Sequence, residues 1–441
     1  MGFETIAGTG TTYGLISFDA DGGERAEGSR LMSGQLVDRA ANGGFTNVFL
    51  FCHGWKGDVP AAKDQYNRWI GAMARSADVQ RAAQVFPGFS PLFIGLHWPS
   101  QPWGDEELGS GAFDLPAAFP GDVGSDPAER MLNAYLGRLG DSPEIRAPLQ
   151  VIVDEARRNA GATELSDRLR EAYLQLNEAL GLGTDGVDGP PDADREGFDP
   201  EDGFEGGDLP DFAGFSLGGV LGPLRQLSYW TMKKRARSIG EGGMHRFLNA
   251  LQAATAARQT RIHLMGHSFG TIVVSGMVGG PNARGTLQRP VDSLVLVQGA
   301  VSLWCYASKI PFDGAGTGYF NRILADGKVR GPIVVTRSKH DHAVGKLYPF
   351  ASRLKGSADF AEEFPKYGAI GAFGLQGTPD GTAQAGSMLD VEGRYDFASQ
   401  RIYNLESSQF IAKGDGASGA HSDIDGPQVA HAIWEAAFAS A

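Results

Sequence analysis

Apolar residues in this chain gather in short runs, separated by stretches with helical spacing. Asn47-Val-Phe-Leu-Phe-Cys52 and Pro91-Leu-Phe-Ile-Gly-Leu-His97 are nearly continuous runs, the pattern of strands buried on both faces. Ile262 to Met265, Ser293 to Gln298, Pro332 to Thr336 and Arg401 to Leu405 repeat it, and Thr12 to Asp19 reads as an earlier strand. Between them, Ala61 to Arg75 carries Trp69, Ile70 and Met73 at helical spacing. Leu224 to about Ala257 reads as helix broken near Gly240-Glu-Gly-Gly243, and Gln428 to Phe438 closes the chain as a helix. Strands alternating with helices predict an α/β fold with a mostly parallel central sheet flanked by helices. No internal repeat is apparent.

The alternation lapses between about Gly104 and Pro223. One amphipathic helix is expected there, between Glu164 and Leu182, and no core strand. We read residues 104–223 as an insertion between the fourth strand and the strand at Ile262. Residues 1–103 and 224–441 are then the two parts of one core. Within the insertion, Asp185 to Asp211 holds eleven acidic residues and one Arg195, a net −10 of the whole chain's −13. Such self-repulsion predicts a loosely held acidic loop whose deletion leaves melting almost unchanged. The apolar residues that follow, Phe212 to Leu221, read equally as a mobile lid or as core beneath the insertion.

Composition narrows the classes. At 441 residues, 42% hydrophobic and 21% charged, the chain has the make-up of an ordinary soluble globular protein. The negative charge and the lack of a Lys/Arg stripe exclude nucleic acid as the expected partner. No run of 18 apolar residues exists, so no stable membrane insertion is expected. The first residues lack a basic segment followed by an apolar one, which predicts a cytoplasmic location. Cys52 and Cys305 lie in apolar contexts and read as reduced core thiols. Oligomeric state is not legible in the pattern.

Chemistry concentrates at Gly266-His267-Ser268-Phe269-Gly270, a G-x-S-x-G between a strand and a small-residue helix. The two glycines leave room for a sharp turn that projects the Ser268 hydroxyl out of the sheet. Ser268 needs a base within hydrogen-bond reach and an acid to orient that base. His421, in a glycine-containing loop after the last strand, is the candidate base. Asp341, in a polar loop just past a buried strand, is the candidate acid. Asp292 precedes its strand and would lie at the wrong end of the sheet; Asp423 stands too near His421 along the chain to orient it easily, though it could cap the last helix. His53-Gly54-Trp55 follows the second buried strand and offers the N–H of Trp55, beside that of Phe269, as oxyanion donors. His53 reads as a structural histidine bonded to backbone rather than a catalytic base, and His53, Gly54, Trp98 and His267 are the expected substrate-side neighbours. A metal held by His340, Asp341 and His342 is disfavoured against a plain loop acid. A calcium loop at Asp192 to Gly203 fails at its twelfth position, which is Gly203 rather than Glu. No metal or organic cofactor is expected.

Together, Phe51-Cys-His-Gly-Trp55, His97-Trp-Pro-Ser100, the Gly266–Gly270 turn, the Asp341 loop and His421 resemble the α/β-hydrolase superfamily. The chain is similar within it to bacterial serine esterase and lipase-like hydrolases, over nearly its whole length except residues 104–223. That resemblance implies Ser268 as nucleophile, Asp341 as acid, His421 as base, and Trp55 and Phe269 as oxyanion donors. It also implies cleavage of a small-molecule or lipid-like carboxylic ester through an acyl-serine. Amidase, peptidase or acyltransferase chemistry on the same triad, and a catalytically inactive hydrolase-fold binding module, are the alternatives.

Overall fold

The structure is a computed structural model that describes residues 2–26, 28, 30–54, 59–100, 126–159, 162–205, 219–312, 314–347, 360–361, 364–414 and 418–441. Its centre is a nine-stranded sheet. The strands are β1 (Phe3–Thr5), β2 (Thr12–Ser17), β3 (Asn47–Cys52), β4 (Pro91–His97), β5 (Arg261–His267), β6 (Ser293–Val297) and β7 (Ile333–Arg337). A two-residue hairpin, β8 (Phe360–Ala361) and β9 (Phe364–Pro365), stands apart, and β10 (Ala383–Ser387) and β11 (Ile402–Glu406) complete the sheet. Spatial order is β1-β2-β4-β3-β5-β6-β7-β11-β10. Every pairing within this nine-stranded sheet is parallel except β1 with β2. The strands that apolar runs predict are all present. The two that the pattern misses, β1 and β10, are the sheet's edges, where β10 reads Ala-Gln-Ala-Gly-Ser and is largely exposed. An edge strand buries too little to need apolar residues.

Alternate side chains of each strand enter opposite cores. Val48, Leu50 and Cys52 of β3 join Ile16, Leu96, Ile262 and Leu264 on one face. Phe49 and Phe51 join Tyr13, Leu15 and Met265 on the other. The first face is covered by α1 (Met32–Asn42), and the second by α2 (Val59–Arg75) and α3 (Asp78–Val85).

Four helices occupy the described part of the insertion, where the sequence pattern indicates one. They are α4 (Pro127–Leu139), α5 (Pro143–Arg158), α6 (Asp167–Ala179) and α7 (Pro200–Glu205). Helix α6 is the expected one. Helix α5 contains Pro148, which removes a backbone donor and hides the helix from a propensity reading. Met131, Leu149, Ile152, Tyr173 and Leu176 from these helices belong to the first core cluster, with the sheet.

The acidic segment corrects the expectation of a loose loop. Asp192, Asp194 and Arg195 are 3%, 2% and 2% exposed. The countercharge comes from α8 (Gly222–Ile239), far along the chain. Lys233 Nζ lies 2.7 Å from Asp194 Oδ1, and Arg237 donates to both oxygens of Asp192, at 2.5 and 3.0 Å. Arg195 donates to Gly183 O and Asn177 Oδ1 and lies over the Trp230 ring. Burial lowers the Lys233 pKa, while the Asp194 carboxylate pulls it back up. Of the apolar residues after the segment, Val220 and Leu221 are core; residues 206–218 lie outside the described ones.

Helix α8 passes without a stop through a wider turn, Gly240–Met244, into α9 (His245–Ala254). The glycines that read as a break serve a close approach, since a Cβ on Gly240 would lie 2.5 Å from Val273 O. Val273 belongs to α10 (Gly270–Gly279), the helix after β5. Two one-turn helices, α11 (Arg322–Ala325) and α12 (Ile370–Phe373), precede α13 (Pro427–Phe438). Helix α13 sets Trp434 edge-on against Phe49 on the second face.

Candidate active site

Ser268 sits between β5 and α10 with φ +54, the left-handed region that a non-glycine residue rarely adopts. Its surroundings over-determine that conformation. Ser268 N–H donates to Val297 O at 3.1 Å, and Ser268 O accepts from Ala300 N (3.1 Å), Thr271 N (3.1 Å) and Thr271 Oγ1 (2.6 Å). A Cβ on Gly270 would strike Cys52 O, and one on Gly54 would strike the Ser268 Cβ. Both glycines are therefore required by backbones that touch.

His421 occupies a short turn, Ala420–Ser422, after β11. Its Nε2 lies 2.8 Å from Ser268 Oγ and its Nδ1 lies 2.8 Å from Asp341 Oδ2. A carboxylate can only accept, so Nδ1 carries the proton and Nε2 accepts from the Ser268 hydroxyl. Asp341 follows β7 and is 2% exposed, with Oδ1 accepting from Val344 N at 3.2 Å. The loops bearing acid and base are stitched together. Ala420 N–H donates to His340 O (2.8 Å), His342 N–H donates to Ser418 O (3.2 Å), and Asp341 bridges to Gly419. Residues 80 positions apart in the chain are thus held as one unit.

The remaining sequence candidates divide. His53 and Trp98 are fully buried and brace the turn from behind. His53 Nδ1–H donates to Gly54 O at 2.7 Å, its Nε2 accepts from Trp98 N at 3.4 Å, and Trp98 Nε1–H donates to His53 O at 3.1 Å. Ser100 Oγ also donates to Gly54 O, at 3.0 Å. Burial, with His97 stacked alongside, pushes the His53 pKa down to about 3 despite the bond to Gly54. His267 is also buried: its Nε2–H donates to the backbone O of His421 at 2.9 Å, and its Nδ1 faces Gln65 Nε2 at 3.3 Å. These three side chains support the site's backbone. Phe269 caps the start of α10 and meets Tyr229 of α8 edge-on, with ring centroids 5.1 Å apart. Trp55 lies outside the described residues.

Asp292 lies at the opposite end of the sheet, as expected. Its carboxylate accepts from Ile262 N at 2.7 Å and pairs with Arg289 and Arg330. Asp423 does not cap the last helix; its Oδ2 instead accepts from Ala412 N and Lys413 N. His340 and His342 join no metal-ligating cluster among the described residues. The cluster with that potential is Asp78, His431 and Glu435, and its groups are already engaged. His431 Nδ1 meets Asp78 Oδ2 at 2.8 Å and Nε2 meets Gly393 O at 3.0 Å, while Arg81 and Arg394 pair with Glu435. Burial would raise the Asp78 pKa, but hydrogen bonds from His431 and Ser76 prevail and lower it. The arrangement fits a buried salt-bridge cluster rather than a metal site.

Sequence reasoning missed three polar residues behind the constellation: Gln298, Thr336 and Thr271. Gln298 stands at the carboxyl end of a buried apolar strand next to the serine's own. A polar residue at that point is the signal that could have marked it. Among the described residues no helix is long and apolar enough to cross a membrane. Compared with protein-family models, with curated proteins and with solved structures, the chain gives no match.

Proposed function

We propose that this protein is a serine hydrolase of the α/β-hydrolase type that cleaves carboxylic esters through an acyl-Ser268 intermediate. One observation carries the reading. A serine in left-handed backbone on a strand-to-helix turn is hydrogen-bonded to a histidine, which is bonded in turn to a buried aspartate. The order serine, aspartate, histidine along the chain, each on a turn or loop that follows a strand of one mostly parallel sheet, supports the family resemblance.

In this mechanism Ser268 Oγ attacks the ester carbonyl carbon while its proton passes to His421 Nε2. The Asp341 carboxylate stabilises the imidazolium without taking the proton. The carbonyl electrons collect on an oxyanion, for which the N–H groups of Phe269 and Trp55 are the expected donors. Collapse expels the alcohol, which receives the proton from Nε2, and leaves the acyl-serine. Water then attacks, gives a proton to Nε2, and the acid departs as Ser268 regains its proton.

The test is reaction with a fluorophosphonate probe, read by intact mass and peptide mapping beside Ser268→Ala. We expect one adduct on Ser268 and none on the variant. His421→Ala and Asp341→Asn should lower ester turnover on the order of 10⁴-fold. An unlabelled wild type, or labelling that survives in Ser268→Ala, would sink the proposal.

A further inference from the structure

Resting on the hydrolase reading, we infer that Gln298 is a positioning residue for the catalytic acid: its amide holds the Asp341 carboxylate aimed at His421. Gln298 is fully buried, directly follows β6 and has φ +45. A buried glutamine is costly unless bonded, and left-handed backbone is costly for any side chain with a Cβ. Both costs are met by one closed set of contacts. Gln298 N–H donates to Thr336 Oγ1 (3.0 Å), Thr336 Oγ1–H donates to Gln298 Oε1 (3.0 Å), and Gln298 Nε2–H donates to Asp341 Oδ2 (2.8 Å). The Thr336 bond fixes which end of the amide faces the carboxylate.

Oδ2 of Asp341 is also the oxygen that accepts from His421 Nδ1. It therefore takes two donors, and Oδ1 takes the backbone N–H of Val344. Donors on a carboxylate favour its charged form. They also temper its basicity toward the imidazole. The same short stretch holds the nucleophile, since Val297 O accepts from Ser268 N and Ala300 N donates to Ser268 O. Residues 297–300 thus tie serine and acid to one piece of backbone, and Gln298 is the part that reaches the acid.

Gln298→Asn and Gln298→Glu separate this role from a structural one. Asparagine tolerates left-handed backbone but its amide falls one methylene short of Asp341. Glutamate keeps the shape but replaces the donor with a second carboxyl group. The experiment measures the rate of fluorophosphonate labelling of Ser268 against pH, the downfield proton resonance of His421 Nδ1–H, and thermal unfolding. For Gln298→Asn we expect roughly ten-fold slower labelling at neutral pH. Its pH limb should shift, because the carboxylate facing His421 Nδ1 has lost a donor. The Nδ1–H resonance should shift, with cooperative unfolding retained. Gln298→Glu should lose more at neutral pH, where two carboxylates would face each other. Thr336→Val, which frees the glutamine amide, should move the pH limb the same way by less and serves if either variant fails to fold. Wild-type labelling rate and pH profile in Gln298→Asn, or in Thr336→Val if that substitutes for it, would overturn the inference and leave the hydrolase reading standing. An unlabelled wild type would overturn both.

Discussion

At the scale of single residues, buried polar groups here are satisfied in only one protonation state, and that ties stability to pH. His263 on β5 is fully buried, with Nδ1 on Ser293 Oγ (2.9 Å) and Nε2 on Asn47 Nδ2 (3.1 Å). The Asn47 amide must donate, so Nε2 must be an acceptor and the ring neutral. Burial, with Arg261 and Arg330 nearby, pushes its pKa down to about 3, as burial does for His53. Above about pH 6.5 these rings are neutral in folded and unfolded chains alike, and their contribution is constant. Between there and about pH 3 the unfolded chain takes up protons that the folded chain refuses, so stability falls as pH falls. One such site costs up to about 1.4 kcal/mol per pH unit. We expect the melting temperature to drop between pH 7 and pH 4, with a shallower drop in His263→Gln. Glu241 and Asp292, which burial shifts upward, act in the opposite sense but do so in both proteins. Identical slopes for variant and wild type would refute the assignment.

At the scale of elements, the acidic segment and α8 form one unit that neither would form alone. Lys233 and Asp194 are both almost wholly buried. Removing either leaves the other's charge in a low-dielectric interior without its direct partner. Lys233→Met alone, or Asp194→Leu alone, should cost about 3–5 kcal/mol. The double variant should recover most of that, because an apolar pair needs no compensation. Chemical denaturation of the four proteins closes the cycle; additive losses would mean the pair does not interact. The consequence reaches the candidate site through α8, whose Tyr229 packs on Phe269 beside Ser268.

At the scale of the whole molecule, the insertion is not an appendage. Its helices α4, α5 and α6 share one apolar cluster with α1, α8, α9, α10 and a face of the sheet. A continuous core unfolds as a unit. Calorimetry should therefore show a single transition with matching calorimetric and van't Hoff enthalpies, and a protein lacking residues 126–205 should fail to fold. A separate early transition would contradict the shared core. Charge follows the same logic. Within the acidic segment, the charges at Asp192 and Asp194 are neutralised inside by Arg237 and Lys233.

Local pattern determined the central strands, helices α2, α6, α8, α9, α10 and α13, and the loops that hold Ser268, Asp341 and His421. Each of those has a one-dimensional signature: an apolar run, a 3.6-residue spacing, two glycines around a serine, a polar loop just past a strand. Where it failed, the deciding partner was remote in sequence. The acidic segment reads as self-repelling until Lys233 and Arg237 are brought against it. The ring nitrogens of Trp98 and His267 hold backbone at residues far along the chain, which no local pattern announces. Gln298 is one more residue of a strand until folding sets it 2.8 Å from an aspartate 43 positions away. Propensity and periodicity report how a segment meets water; which group answers a buried charge or donor is decided by what the fold delivers beside it, and only the tertiary structure contains that.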